Sequence, residues 1–115
     1  MEIVMARGDL EPQTFVVTED GQPPEEPFDD IFFTVKKLPT DKQALFQKRL
    51  SDDTIYETDT PGTFGFVIEP EDTDNLPYGT YGFDLEFLRE GTLKKTKTGK
   101  LILTEEYTHH NNEGA

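Results

Sequence analysis

The carboxylates are the side chains here most able to do chemistry: 24 Asp and Glu in 115 residues, against eleven Lys and Arg. They cluster in "EPEDTD" (69–74) and "DDTIYETD" (52–59). Such clusters could gather oxygen ligands around calcium, which accepts an irregular shell of carboxylates and carbonyls. Neither has the spaced Asp, Gly and Glu of an EF-hand loop. In a chain of formal net charge −13, acid runs read as solvated faces. A glycosidase pair would need one carboxyl buried with a raised pKa. Asp84 is expected to point outward, so nothing supports such a pair. Nucleophilic catalysis needs a nucleophile, a base and an orienting group in fixed geometry. The only histidines, His109 and His110, stand side by side in "HHNNEGA" (109–115), which has no apolar anchor and reads as a frayed tail. "PGTFGF" (61–66) lacks the Lys and following helix of a phosphate loop. No catalytic, metal-ligating or cofactor-binding residue is therefore assigned, and the expectation is a protein that is not an enzyme and carries no cofactor.

Two short motifs remain. "RGD" (7–9) matches a cell-adhesion tripeptide, but Gly-Asp at the end of a first strand reads as a turn. "LKKTKTGK" (93–100) is the one basic patch. In a strand, Lys95 and Lys97 share a face and Lys94 lies opposite. Lysines there either guard an edge strand against sheet-to-sheet aggregation or, with Lys100, dock an acidic neighbour such as another copy of the chain.

Composition narrows the partners. An acidic surface repels phosphate backbones and anionic lipid, so neither nucleic acid nor a membrane is expected. No apolar run approaches the roughly 20 residues that span a bilayer. "MEIVMARGDL" is too short and too charged for a signal peptide. With no cysteine there is no disulfide framework, which fits a reducing compartment. Nine Phe and four Tyr in patterned segments argue against disorder.

The elements that would position these residues are strands. Turn signals stand at "EDGQPP" (19–24), "LPT" (38–40), "SDD" (51–53), "DTPG" (59–62), "NLPYG" (75–79) and "REG" (89–91). Between them lie "TFVVT" (14–18), "DIFFTVKK" (30–37), "TFGFVIE" (63–69), "TYGFDLEFL" (80–88) and "GKLILT" (99–104). The third and fourth alternate apolar and polar, the pattern of half-buried antiparallel strands. Short strands at this spacing predict a sandwich or barrel. "TDKQALFQKRL" (40–50) reads as an extended connector leading into a strand, and "PEDTDNL" (70–76) as a single helical turn. The predicted core is Phe15, Val17, Phe32, Val35, Phe64, Phe66, Ile68, Leu76, Tyr81, Phe83, Leu85, Leu101 and Leu103.

"LPYGTY" (76–81) reads as a tyrosine corner of a Greek-key sandwich. Leu76 plugs the core, Pro77 and Gly79 shape the turn, and Tyr81 turns its hydroxyl back to a backbone group, expected around Glu71 to Asp74. Tyr78, on the exposed side of the turn, is the residue there free to meet a ligand or partner.

"PEDTDNLPYGTYGFDLEF" followed by "GTLKKTKTGKLILT" resembles the closing half of a class of bacteriophage structural domains, the N-terminal immunoglobulin-like domain of phage baseplate upper proteins and related phage or prophage tail and head proteins. "RGD", "FVVTEDGQP" (15–23), "IFFTVKK" (31–37) and "ALFQKRL" (44–50) are consistent with its front half, so the resemblance covers about positions 3 to 104. Where the family has a Leu-Thr-Gly-Ala turn, this chain has "EEPFDD" (25–30), which gives one loop a different course. The resemblance implies an all-β immunoglobulin-like Greek-key sandwich of about seven strands over 1–106, followed by a flexible tail, 107–115. It implies a non-enzymatic tail, baseplate or head accessory module, whose partners are other virion proteins or itself, found in the virion or in the bacterial cytoplasm when expressed from a prophage. The alternative is a carbohydrate- or cell-surface-binding module of adhesin type, which would cluster Tyr56, Tyr78 and Tyr107 on one face or loop set.

Overall fold

The computed structural model describes residues 1–106. Strands make up 54% of the described residues and helix 4%, so the fold is all-β, built as two packed sheets. The strands run β1 (Glu2–Ala6), β2 (Glu11–Val16), β3 (Asp30–Lys36), β4 (Phe46–Arg49), β5 (Ile55–Glu57), β6 (Thr63–Ile68), β7 (Gly79–Arg89) and β8 (Thr92–Thr104), with one helical turn, α1 (Pro70–Thr73), between β6 and β7. There are eight described strands where about seven were expected. The first strand expected before Gly8 is β1, and β5, three residues inside an acidic run, is a strand that no segment had suggested.

The larger sheet has the order β1-β8-β7-β3-β4 and the smaller β2-β6-β5. All pairings are antiparallel except β1 with β8, which run parallel with Ile3 opposite Leu101 and Met5 opposite Leu103. β7 and β8 form a long hairpin. Its two-residue turn places Glu90 at φ 54 and Gly91 at φ 72, the left-handed pair whose twist matches flanking strands. A bulge interrupts their register between Phe87 and Leu88. α1 starts where a proline can sit without losing a bond, at its first position.

The two inner faces interlock through aromatics. Phe33 of the larger sheet stacks on Phe66 of the smaller at 4.3 Å, and Phe15 meets Phe87 edge-on at 5.9 Å. Ile31, Phe33, Val35, Ile55, Phe66, Ile68, Leu85, Phe87 and Leu101 are fully buried. Phe15, Val17, Val35, Phe64, Phe66, Ile68, Tyr81, Phe83, Leu85, Leu101 and Leu103 lie in the core as expected. Phe32 does not: strand alternation sends Ile31, Phe33 and Val35 inward and leaves Phe32 on the outer face, where the Arg49 guanidinium lies 4.7 Å over its ring. Leu76 is only partly buried and packs against the core margin. Ile3, Met5 and Phe28 complete the interior from segments that carry no strong pattern of their own.

Candidate functional site

The corner forms as a compact local structure. Gly79 stands at φ 137, a conformation side chains rarely adopt, and turns the chain into β7. Two residues on, Tyr81 enters the core, and its hydroxyl donates to the Pro77 carbonyl at 2.5 Å. The acceptor is Pro77 rather than a group between Glu71 and Asp74. A hydroxyl at the start of a strand reaches most easily across the turn that its own ring covers. Burial raises the Tyr81 pKa, with Arg7 partly offsetting it. Lys37 Nζ sits 4.7 Å over the same ring.

The arginine of the "RGD" stretch belongs to this corner. Arg7 Nη1 donates to the Leu76 carbonyl at 3.3 Å and Nη2 to the Tyr78 hydroxyl at 3.1 Å, and the guanidinium lies 4.2 Å over the Tyr78 ring. Gly8, at φ 83, turns the chain after β1, and its N–H donates to the buried Thr73 hydroxyl at 2.9 Å. Tyr78 is partly exposed, yet ring and hydroxyl are both engaged by Arg7.

The acidic clusters are also engaged. Asp72 takes the Lys48 ammonium at 2.6 Å and the Glu69 N–H at 2.8 Å. Asp52 accepts from the Thr54 N–H at 3.0 Å; the Thr54 hydroxyl and N–H hold its carboxyl below the usual range. Among the described residues no group of three or more His, Asp and Glu is placed to hold a metal ion. Among the described residues no helix is long and apolar enough to cross a membrane. His109, His110 and Tyr107 lie outside the described residues.

Lys94, Lys95 and Lys97 lie in the first half of β8, and Lys100 in the half that pairs with β1. Lys95 stands opposite Phe87 and Lys97 opposite Leu85, so both point to the face that buries the core farther along the strand. The smaller sheet does not cover them there, and both are exposed. Lys94 sits at the bulge. Lys100 stands opposite Gly82 and Glu2 on the other face. Sequence alternation had Lys95 and Lys97 sharing a face, and they do. β8 is an edge only in part. β1 pairs with Lys100 to Thr104, where the Lys100 N–H donates to the Met1 carbonyl at 3.1 Å. By alternation, the Thr96 and Thr98 amides and carbonyls point to the same side, beyond the start of β1, and no described strand pairs with them.

β1, β2, β4 and β5 are edge strands as well, and local features partly blunt two of them. On β2, the Val17 N–H bonds to Gly62 inside the sheet, so Pro12, Thr14 and Val16 present their backbone outward, and Pro12 has no N–H to offer. On β4, the Thr54 hydroxyl accepts from the Arg49 N–H at 2.7 Å. No family model matches the chain, and neither a curated protein nor a solved structure matches it.

Proposed function

We propose that this chain is an immunoglobulin-like Greek-key sandwich acting as a non-enzymatic assembly module, a tail, baseplate or head accessory component of a phage or prophage virion. The strand order supports the finer fold reading. A sheet of β1-β8-β7-β3-β4 faces one of β2-β6-β5, the first strand runs parallel to the last, and a tyrosine corner opens β7. The virion role rests on the resemblance carried by "LPYGTYGFDL" and the flanking strands.

The observation that carries the mode of action is the free half of β8. Its Thr96 and Thr98 backbone groups are ready for strand addition, and Lys94, Lys95 and Lys97 surround them. Inward-pointing and edge lysines discourage pairing with a neutral strand. A strand rich in Asp or Glu neutralises them, so the same lysines select an acidic neighbour, either another virion subunit or a second copy of this acidic chain. The adhesin alternative called for tyrosines gathered together. Tyr56 lies over Gly65 on the smaller sheet, and Tyr78 lies under Arg7 at the corner, so these two stand apart.

Sedimentation velocity over a wide concentration range, at low and high salt, tests the reading. The expected result is a salt-sensitive oligomer that the triple variant Lys94→Glu, Lys95→Glu, Lys97→Glu abolishes. A wild-type protein that sediments as a monomer throughout, or one indistinguishable from the variant, would remove β8 as a self-assembly surface.

A further inference from the structure

The outer face of the larger sheet is not flat. The β3–β4 connection folds over it and forms a wall held by Asp41. The Asp41 carboxylate accepts from the Leu38 N–H at 2.9 Å, its carbonyl accepts from Lys36 Nζ at 2.8 Å, and its own N–H donates to the Leu38 carbonyl at 3.1 Å. Between this wall and the strands runs a groove of about 510 Å³, within the range of small-molecule sites.

Its floor is a row of polar side chains set by strand register. Gln47 stands opposite Thr34, Thr34 opposite Asp84, and Asp84 opposite Thr98, so one hydrogen-bonding group comes from each of β4, β3, β7 and β8. The next row is Lys36, Gly82 and Lys100, where the glycine leaves space beside Asp84. The Gln47 amide donates to the Thr34 hydroxyl at 2.9 Å, which orders that end. Asp84 makes no described hydrogen bond or ion pair, and burial raises its pKa, with Lys36 partly offsetting it.

We propose that this groove binds a linear oligosaccharide laid across the strands along the row Gln47, Thr34, Asp84 and Thr98. Three features point to that class. The row repeats at the spacing of adjacent strands, roughly 4.8 Å, close to the length of one pyranose unit in a chain. The lining is balanced, with Asp84 and Glu86 against Lys36 and Lys42, so it favours a neutral ligand over a strongly charged one. Its free groups are hydroxyls, an amide oxygen and a carboxylate that can accept from two vicinal hydroxyls. Pro39 and Ala44 on the wall offer an apolar surface to the C–H face of a sugar ring. The groove shares Thr98 with the free half of β8, but uses its side chain on the outer face and not its backbone at the strand edge, and it does not depend on the assembly role.

Amide chemical-shift mapping of the whole chain tests it, with cellotriose, maltotriose and the N-acetylglucosamine trimer as probes, glucose as the single-ring comparison and N-acetyl-lysine amide as the cationic comparison. At least one trisaccharide should shift Thr34, Gln47, Gly82, Asp84 and Thr98 together and bind about tenfold more tightly than glucose. Gly82→Val should abolish the shifts. A Cβ at Gly82 meets only the Lys36 carbonyl, at 3.9 Å, so this variant is expected to fold. Asp84→Asn should weaken binding about tenfold, and decides the matter should Gly82→Val misfold. Lys95→Glu should leave binding unchanged. No response to any trisaccharide, shifts confined to other surfaces, or a response to the lysine amide alone would each overturn the proposal.

Discussion

The Tyr81 hydroxyl donates to the Pro77 carbonyl at 2.5 Å, closing the corner between α1 and β7 from inside the core. The ring is almost wholly buried, and the bond itself is part-buried. Tyr81→Phe leaves the packing intact and the carbonyl without its partner. The expected cost is about 1 kcal/mol, read as a lower denaturation midpoint with an unchanged slope.

Two glycines in neighbouring strands should respond in opposite ways. A Cβ at Gly99 would lie 2.5 Å from both the Met1 carbonyl and the Phe83 ring, and the backbone atom cannot swing aside. Gly99→Ala should therefore lower the melting temperature markedly. Gly82→Ala meets ordinary contacts only and removes backbone freedom from the unfolded chain, so it should be neutral or stabilising by up to about 1 kcal/mol. Paired thermal melts of the two variants check this.

Lys48 is nearly buried, and its ammonium is held by Asp72 at 2.6 Å. Asp72→Ala strands that charge and also frees the Glu69 N–H at the start of α1. A loss of about 3 kcal/mol or more is expected. Adding Lys48→Met removes the stranded charge, so chemical denaturation should find the double variant more stable than the single one.

Two aspartates should bend the pH profile in opposite directions. At Asp30, burial pushes the pKa up, but bonds from Arg49, Ser51 and Ile31 outweigh it and the net shift is downward. Its contribution is present above the ordinary carboxylate pKa and lost as pH falls through the lowered folded value. Asp84 is shifted up, so the folded state holds its proton longer and stability falls as pH rises above the ordinary value. Asp84→Asn should raise the melting temperature at about pH 7 and not at about pH 3. Asp30→Asn should lower it at neutral pH, with the gap narrowing in strong acid.

The corner was legible because Leu76, Pro77, Gly79 and Tyr81 act over six consecutive residues, where local chemistry decides the conformation. The inward faces of β6 and β7 were legible for a similar reason: their alternation is clean. β3 misled at Phe32 because Ile31, Phe32 and Phe33 are all apolar, and a run of three hides which parity faces the core. A first strand ending before Gly8 was expected, but nothing in it showed that Ile3 and Met5 pair in parallel with Leu101 and Leu103, nearly a hundred residues away in sequence. Ile55, a single apolar residue among acids, was overlooked likewise. The lysines and their shared face could be read from spacing, but not that half of β8 lacks a neighbour. The outer groove depends on the register of four strands and leaves no pattern in any one of them. The acidic runs looked like solvated or metal-binding loops because the Lys48 partner of Asp72 comes from a different strand.

The parallel pairing of β1 with β8 also governs how the domain would answer a pull. Tension applied at the start of β1 and beyond the end of β8 acts along the two strands in opposite directions. The rungs between Glu2–Ala6 and Lys100–Thr104 then share the load in shear and must give way together, whereas an antiparallel hairpin pulled open at one end yields one rung at a time. The weld between the first and last described strands thus makes the sandwich resist stretching along that axis.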